Sequence, residues 1–387
     1  MNKKQQTKCF DVIVLGGGAA GMMCACTIKK KSVAVIDALT KPAKKIMVTG
    51  NGKCNLTNLN CDSGFYNQNI DKFLERFGER ETLMLFAKLG LVTYADDEGR
   101  VYPISNSAKS VVDVLEYGAK NASFFLGEKI KDIQKDKEGF LVSFGETTLR
   151  AKNLVVATGG NCSQILDMLG VKYKEFVPSL VSLQSKQTRD LNGVRISNVL
   201  VTATNLSGEK KSERGEVLFR ENGLSGIVVF NLSSIFARTN DFSGNISIDL
   251  LPDMDRKAVE KLVERRKQLD TTVDKVFVGM FANAVSNEIF KQSKINTNKS
   301  CQRLQEKEIS TLADKIKKLE FEIEGHLENN QVFSGGVPLE NLDEKLMYKN
   351  IPNLFIVGEA CDIDGVCGGF NLQWAWTSGH IVGEALC

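Results

Sequence analysis

The sequence predicts an α/β protein whose two ends meet in one parallel sheet around a β-rich and partly helical insertion. Three stretches predict it: Phe10 to Leu15 running into Gly16-Gly17-Gly18-Ala19-Ala20-Gly21, Asn153 to Val156 running into Ala157-Thr158-Gly159-Gly160, and Leu354 to Val357 running into Gly358-Glu359 and a later Gly368-Gly369. Each begins as an apolar run suited to a central parallel strand, and each ends in glycines.

The first stretch sets the reading. Gly16, Gly18 and Gly21 fall in the G-x-G-x-x-G spacing where a helix begins. The first glycine permits a tight turn, the second lets backbone approach a pyrophosphate, and the third lets helix and strand pack; the helix start offers unpaired N–H groups to the anion. In a chain with 33 glycines that spacing is weak by itself, so its surroundings carry the argument. A second apolar strand, Ser32 to Ile36, ends in Asp37, 21 residues after Gly16, where an acid of a Rossmann-type domain meets an adenosine ribose hydroxyl.

Composition narrows the function. Lys plus Arg is 50 against 47 Asp plus Glu, so the net charge of +3 leaves no electrostatic footprint for a nucleic acid, and none is expected as a partner. No apolar run reaches the ~18 residues of a membrane span, so no membrane partner is expected. Lys3, Lys4 and Lys8 ahead of an apolar stretch imitate a secretory signal, but Asp11 and the glycines interrupt it and no small-residue cleavage pattern follows. Ten cysteines without a C-x-x-C fit free thiols in a reducing cytoplasm. Cys54 and Cys61 lack the spacing of a redox dithiol, and two histidines, His326 and His380, offer neither a His-rich metal site nor a triad; no metal is expected.

In chain order, Lys44 to Asn58 forms a loop dense in Gly, Asn and Lys, suited to wrapping a flat polar ligand with backbone N–H groups. Helical spacing covers 69 to about 90 and Ala108 to Lys120. Between them Arg100 is either an anion ligand or the partner of an acid. Alternation at Ala122 to Phe125, Glu128 to Ile133 and Gly139 to Phe144 predicts a small meander ahead of the second anchor strand. From Pro178 the segments Leu180–Gln184, Val199–Thr204, Gly215–Phe219 and Asn245–Leu250 predict a barrel-like or sandwich insert. Pro252 to about Leu312 reads as helical and charged, with Val276 to Ala282 as a buried helix face. Lys315 to Ile323 alternates and rejoins the insert's sheet. These readings place residues 1–178 and 332–387 in a Rossmann-type domain made of two segments, 179–251 and 315–331 in the β-barrel-like insert, and 252–314 in a small helical domain.

At the C-terminal block the chain resembles a known family, the BaiN/YhiN-like flavoproteins, also described as aminoacetone oxidase-family FAD-binding enzymes or NAD(P)/FAD-dependent oxidoreductases. The likeness spans nearly the whole chain. It rests on Gly16 to Gly21, Lys45 to Asn58 (similar to K-I-x-x-S-G-x-G-R-C-N-x-T-N), Gly99 to Pro103, Ala157 to Gly160, Gly335 to Val337, and Gly358 to Gln373, which is similar to G-E-x-x-D-x-x-G-x-x-G-G-Y-N-L-Q.

The resemblance implies FAD as cofactor. Ala19, Ala20 and Gly21 would meet its pyrophosphate and Asp37 its ribose, and Lys45, Ile46, Gly52, Cys54 and Asn55 would line it. Ile130 would contact adenine through its backbone, and Asp362 would hold the ribityl or pyrophosphate region. Thr158, Gly159, Gly358 and Gly369 would bring backbone close, and Asn371 and Leu372 would present a helix N-terminus to the isoalloxazine. The implied activity is an FAD-dependent oxidoreductase in which flavin N5 exchanges a hydride with a small organic substrate, either by reducing an activated C=C bond or by oxidising an amine. No second G-x-G-x-x-G is present, so NAD(P)H would bind only transiently. The alternative is a flavin-binding redox sensor or interaction protein without turnover.

Two departures from the family pattern bear on mechanism. The Gly/Thr-rich segment after Ala-Thr-Gly-Gly is shortened, and F-T-H-x-G-x-S-G-P is replaced by Phe219 to Ile227, with Glu221 where the histidine stands. Catalytic residues are therefore unassigned. The sequence is silent on oligomeric state.

Overall fold

The computed structural model describes residues 7–160, 162–327 and 332–387. The chain divides into two compact units, one made of residues 1–177 with 332–387 and the other of 178–331.

The first unit is built on the strand Lys8–Leu15, whose residues Val12 to Leu15 are fully buried. A strand covered on both faces has no solvated side, which is why its apolar residues run on without alternation. It pairs in parallel with Val33–Asp37 on one side and Thr147–Val156 on the other. The ten-residue strand Thr147–Val156 changes partner along its length: residues 147–151 pair antiparallel with Gly139–Phe144, and 154–156 pair in parallel with Leu354–Ile356. The returning end of the chain thus extends the parallel sheet beside Thr147–Val156, which separates it from Lys8–Leu15.

Ser123–Leu126 pairs in parallel with Val33–Asp37 and is not part of the meander, which consists of Ile130–Asp136, Gly139–Phe144 and Thr147–Val156. The alternation in Ala122 to Phe125 reports extended backbone and says nothing of its partner. The predicted helix over 69–90 is two helices, Asp71–Leu74 and Glu79–Lys88, because Gly78 takes an extended conformation and caps the second with Glu81. Ala19–Thr27 packs along the C-terminal helix Phe370–Ala385. At Gly379 a Cβ would lie 2.3 Å from the Ala20 carbonyl oxygen, so glycine sets that close approach.

In the second unit an antiparallel sheet carries the strands Leu319–Ile323, Gly244–Asp249, Arg195–Asn205, Lys210–Arg220, Gly223–Ser225, Leu183–Gln184 and Gly325–His326, in that order. The strands at the two ends of this path, Leu319–Ile323 and Gly325–His326, are separated in the chain by Glu324 alone, so the sheet curls round until its ends meet, in the barrel-like form that the sequence predicts. Helices Ile227–Ala237, Arg256–Arg266, Asn283–Ser293 and Glu306–Lys317 belong to the same unit and share its apolar core. The last extends into the stretch read as alternating, because Gln305 and Glu308 cap its start and Ile309, Leu312, Ala313 and Ile316 form a buried helical stripe. Val276 to Ala282 is not a helix: a 3-10 turn spans Val273–Lys275, Gly279 sits at φ +80°, and the next helix begins at Asn283. Val276 and Phe277 are still fully buried, so the stretch supplies core without the predicted periodicity.

Candidate cofactor site

The glycine turn follows Leu15. Gly16 has φ +97°, and a Cβ on it would meet the Ala157 carbonyl oxygen at 2.4 Å; a Cβ on Gly21 would meet the Gly16 carbonyl oxygen at 2.0 Å. Both glycines are fixed by backbone against backbone. Gly18 differs, since nothing lies within 4 Å of the Cβ it lacks. The turn is therefore dense on its inner side and open at the N-cap of Ala19–Thr27, where a helix start leaves N–H groups for an anion.

Asp37 stands at the end of its strand with both carboxylate oxygens engaged. Oδ2 accepts from the Gly17 N–H at 2.7 Å and Oδ1 from the Leu39 N–H at 2.7 Å. These bonds fix the carboxylate beside the glycine turn and leave lone pairs for a hydroxyl donor. The Glu128 N–H donates to the Asp37 carbonyl and the Gly127 N–H to that of Leu39, which draws the segment leading into Ile130 alongside the same turn.

The loop after Lys45 is held in an unusual shape. Gly50, Asn51, Gly52 and Cys54 all have positive φ, while Ile46 and Cys54 are buried. Burial pushes the Cys54 thiol up to about 12, and Cys61 and Cys162 likewise to about 12, so none is a thiolate near neutrality. Lys45 Nζ pairs with Glu359 at 2.8 and 3.0 Å, joining residues 314 apart in sequence. Arg100 pairs with Asp96 at 2.8 Å and with Glu98, which decides its reading in favour of an acid partner.

The returning strand Leu354–Ile356 leads into Gly358 and Glu359. Gly358 is locked on both sides: its N–H donates to Ser378 Oγ at 2.9 Å and its carbonyl accepts from Trp374 Nε1 at 3.0 Å. Glu359 lies against the turn after Val156, its Oε2 3.4 Å from where a Gly159 Cβ would be. Asp362 is fully buried, its Oδ2 2.7 Å from Lys174 Nζ, and its carbonyl accepts from Gln68 Nε2 at 2.6 Å and Asn67 Nδ2 at 3.0 Å. Gly369 caps the helix Phe370–Ala385 at φ +100°. The Asn371 side chain turns back to clamp the loop, accepting from the Gly365 N–H at 2.9 Å and donating to the Gly365 carbonyl at 2.8 Å. Asn371 and Leu372 therefore offer a ligand their first-turn N–H groups, and the Asn371 amide is spent on the loop. A four-way network fixes that helix: Gln373 accepts from Thr57 Oγ1 at 2.6 Å and donates to Thr82 and Thr377, and Trp376 Nε1 donates to the Leu56 carbonyl.

Whether FAD suits these residues can be tested on their polar atoms. Asn55 Oδ1 is buried without a partner and lies 2.9 Å from where a Gly369 Cβ would be, at the start of the C-terminal helix. Thr158 Oγ1 is buried beside the Cys162 thiol with no geometrically formed hydrogen bond. An orphaned buried acceptor costs roughly 1–3 kcal/mol. A flavin ring carries an N–H to satisfy it, and the Gly18 opening and helix start suit a pyrophosphate, so the residues fit FAD. A separate cleft of about 950 Å³, lined by Asp11, Lys31, Arg76, Lys152 and Phe355 among others, contains none of the predicted cofactor residues. Sequence reasoning missed Glu359, Lys174, Asn67 and Gln68. Glu359 had a signal, an acid just past an apolar strand as at Asp37; the others had none, because their partners are remote in sequence.

The parallel sheet, glycine turn and helix start define an FAD-binding Rossmann-type flavoprotein of the oxidoreductase class. A family model described as "HI0933-like protein Rossmann domain" matches residues 10–385, and the chain belongs to that family. It is 29% identical to the 3-dehydro-bile acid delta(4,6)-reductase of Clostridium scindens, over 96% of this chain and 98% of that one. It is 30% identical to the ribosomal RNA dihydrouridine synthase of Escherichia coli, over 95% and 96%. Among solved structures, the 3-ketosteroid delta1-dehydrogenase of Sterolibacterium denitrificans shares the fold at a TM-score of 0.50 and 12% identity, over 98% of this chain and 99% of that one.

Proposed function

We propose that this protein is an FAD-dependent reductase that saturates a ring carbon–carbon double bond conjugated to a carbonyl, drawing its reducing equivalents from transiently bound NAD(P)H. One observation carries the reading: the start of Phe370–Ala385, with its first-turn N–H groups, lies beside the orphaned Asn55 Oδ1. A helix N-terminus stabilises negative charge by roughly 0.3–2 kcal/mol, which favours a flavin ring that holds electrons.

FAD bound there supplies a hydride for transfer to carbon. The chain's residues bind and orient it. The Gly18 opening takes the pyrophosphate, Asp37 the ribose, Asn55 the ring edge, and the Lys174-paired Asp362 braces the loop before the helix. The reaction adds a hydride and a proton across the double bond. The two relatives' names support this choice over amine oxidation, since a delta(4,6)-reduction and the making of dihydrouridine each add two hydrogens across a ring double bond. Among the described residues no disulfide joins the cysteines, which suits a reducing cytoplasm.

The test is an anaerobic absorbance titration of the purified protein with NADH or NADPH, followed by a carbonyl-conjugated ring compound. Flavin bands should bleach within seconds and return when the compound is added. Bands that persist with both nicotinamides, or that return only with oxygen, would sink the reading.

A further inference from the structure

We infer that Gln373 and Trp376 are positioning residues for the flavin: they register Asn55 against the first turn of helix Phe370–Ala385, and that register favours the reduced ring over the oxidised one. This role rests on FAD being the cofactor of the site.

Phe370, Asn371 and Leu372 open the helix, and the Gln373 N–H is the first to find a carbonyl, that of Gly369. The three N–H groups before it lack an acceptor within the helix. Asn55 Oδ1 is buried without a partner at the same place. A Cβ on Gly369 would lie 2.9 Å from that oxygen and 2.6 Å from the Thr57 carbonyl, so only glycine lets the helix start come this close to the loop. An acceptor beside a set of donors matches the pyrimidine edge of a flavin, where an N–H stands between carbonyls.

The match requires the loop to keep its place, and the two residues after Asn55 are what the helix grips. Thr57 Oγ1 donates to Gln373 Oε1 at 2.6 Å, and Trp376 Nε1 donates to the Leu56 carbonyl at 2.9 Å. Gln373 and Trp376 lie three apart, on one face of the helix. The direction of the first bond is fixed by its neighbours. Thr377 spends its own proton on the Phe77 carbonyl at 2.7 Å, so it accepts from Gln373 Nε2 at 3.0 Å, which leaves Oε1 as the end that faces Thr57. Thr57, Thr82, Gln373 and Thr377 are all fully buried, so bulk water does not replace a bond that is lost.

Reduction places negative charge on the pyrimidine side of the ring, while the oxidised ring is neutral. A helix start therefore holds the reduced form more tightly, and the loop decides whether the ring lies square to it. Misplacing Asn55 weakens the reduced form more than the oxidised one and lowers the midpoint potential. A fault in folding alone weakens both alike and leaves the potential where it was.

The experiment measures the two-electron midpoint potential of the full-length FAD-loaded protein against a reference dye. In Thr57→Val the side chain keeps its shape but cannot donate, and the preference for reduced over oxidised flavin should fall about 3- to 10-fold, a downward shift of roughly 15–30 mV. Thr57→Ser keeps the hydroxyl and should sit at the parent potential. Trp376→Phe keeps an aromatic ring against Phe86, loses the N–H, and should shift in the same direction; it decides the matter where Thr57→Val retains no FAD. In an Asn55→Ala background Thr57→Val should add no further shift, since the residue it acts through is gone. An unchanged potential in Thr57→Val and Trp376→Phe, or a full further shift in the Asn55→Ala background, would overturn the positioning role and leave FAD as the cofactor. A parent protein that takes up no FAD would sink the cofactor reading and this role with it.

Discussion

Two glycine turns face the same sheet, one after Leu15 and one after Ile356, and they are built differently. In the first, backbone meets backbone: the Gly16 and Gly21 contacts with Ala157 and Gly16 carbonyls leave no room for any side chain there, and Asp37 reaches in from outside to the Gly17 N–H. In the second, side chains do the holding: Lys174, Gln68 and Asn67 from distant segments on Asp362, and Asn371, Ser378 and Trp374 from the following helix on Gly365 and Gly358. The Gly21 contact is set by local sequence, while the Gly16 contact waits on Ala157 at the end of the neighbouring strand. A turn specified by remote partners depends on the whole unit having folded.

Substitutions can sharpen that contrast. The largest effect is expected at Gly21→Ala, whose new methyl would press on the Gly16 carbonyl; stability should fall by at least about 1–3 kcal/mol in urea unfolding of the cofactor-free protein. Gly18→Ala should unfold like the parent in the same experiment, since its Cβ meets nothing, yet retain less FAD through gel filtration. If Gly18→Ala also destabilises the cofactor-free protein, the first turn is less self-contained than its contacts indicate.

Lys174→Gln tests the second turn. Asp362 is fully buried but Lys174 is 63% exposed, so water screens part of the lost pair and the expected cost is about 1–2 kcal/mol, below that of breaking a fully buried pair. Retention of FAD should fall with it. A variant as stable as the parent would mean that Gln68 and Asn67 hold the loop unaided.

The smallest effect is expected at His380, whose ring stacks on Phe77 at 3.8 Å and whose burial pulls its pKa below the usual imidazole value. The unfolded chain therefore binds this proton more readily than the native one. Stability should be fully present above about pH 6.5 and be lost as pH falls through that value toward the native pKa. Urea midpoints at about pH 8 and pH 5.5 should differ less in His380→Gln than in the parent. An unchanged difference would assign the acid sensitivity to other groups.

The same contrast explains what could be read from sequence. The first turn was legible because glycine spacing, strand apolarity and Asp37 all lie within 28 residues, Phe10 to Asp37. The returning strand and its glycines were legible for the same local reason. The clamp on Asp362 was not, since Lys174 and Gln68 lie 188 and 294 residues away and carry no pattern of their own. Pairing partners were also hidden: Ser123–Leu126 joins Val33–Asp37 rather than the meander, and alternation cannot tell these apart. In the insert, Val276 to Ala282 showed that burial and helicity are separable, because Val276 and Phe277 enter the core from a turn.

The interrupted order of the sheet also sets a timetable for synthesis. Residues 8–156 supply the first strands, but Leu354–Ile356 and the helix Phe370–Ala385 follow an intervening unit of about 150 residues. At about 5–20 residues per second a ribosome takes roughly 10–40 s to travel from Val156 to Ile356. During that interval the N-terminal strands lack their neighbour while the intervening unit, continuous in sequence, can fold as it emerges. Arrest-peptide force profiling of the nascent chain should then register folding of residues 178–331 before the nucleotide-binding unit. A first force peak ahead of residue 250 would show that the opening strands hold together without their late partner.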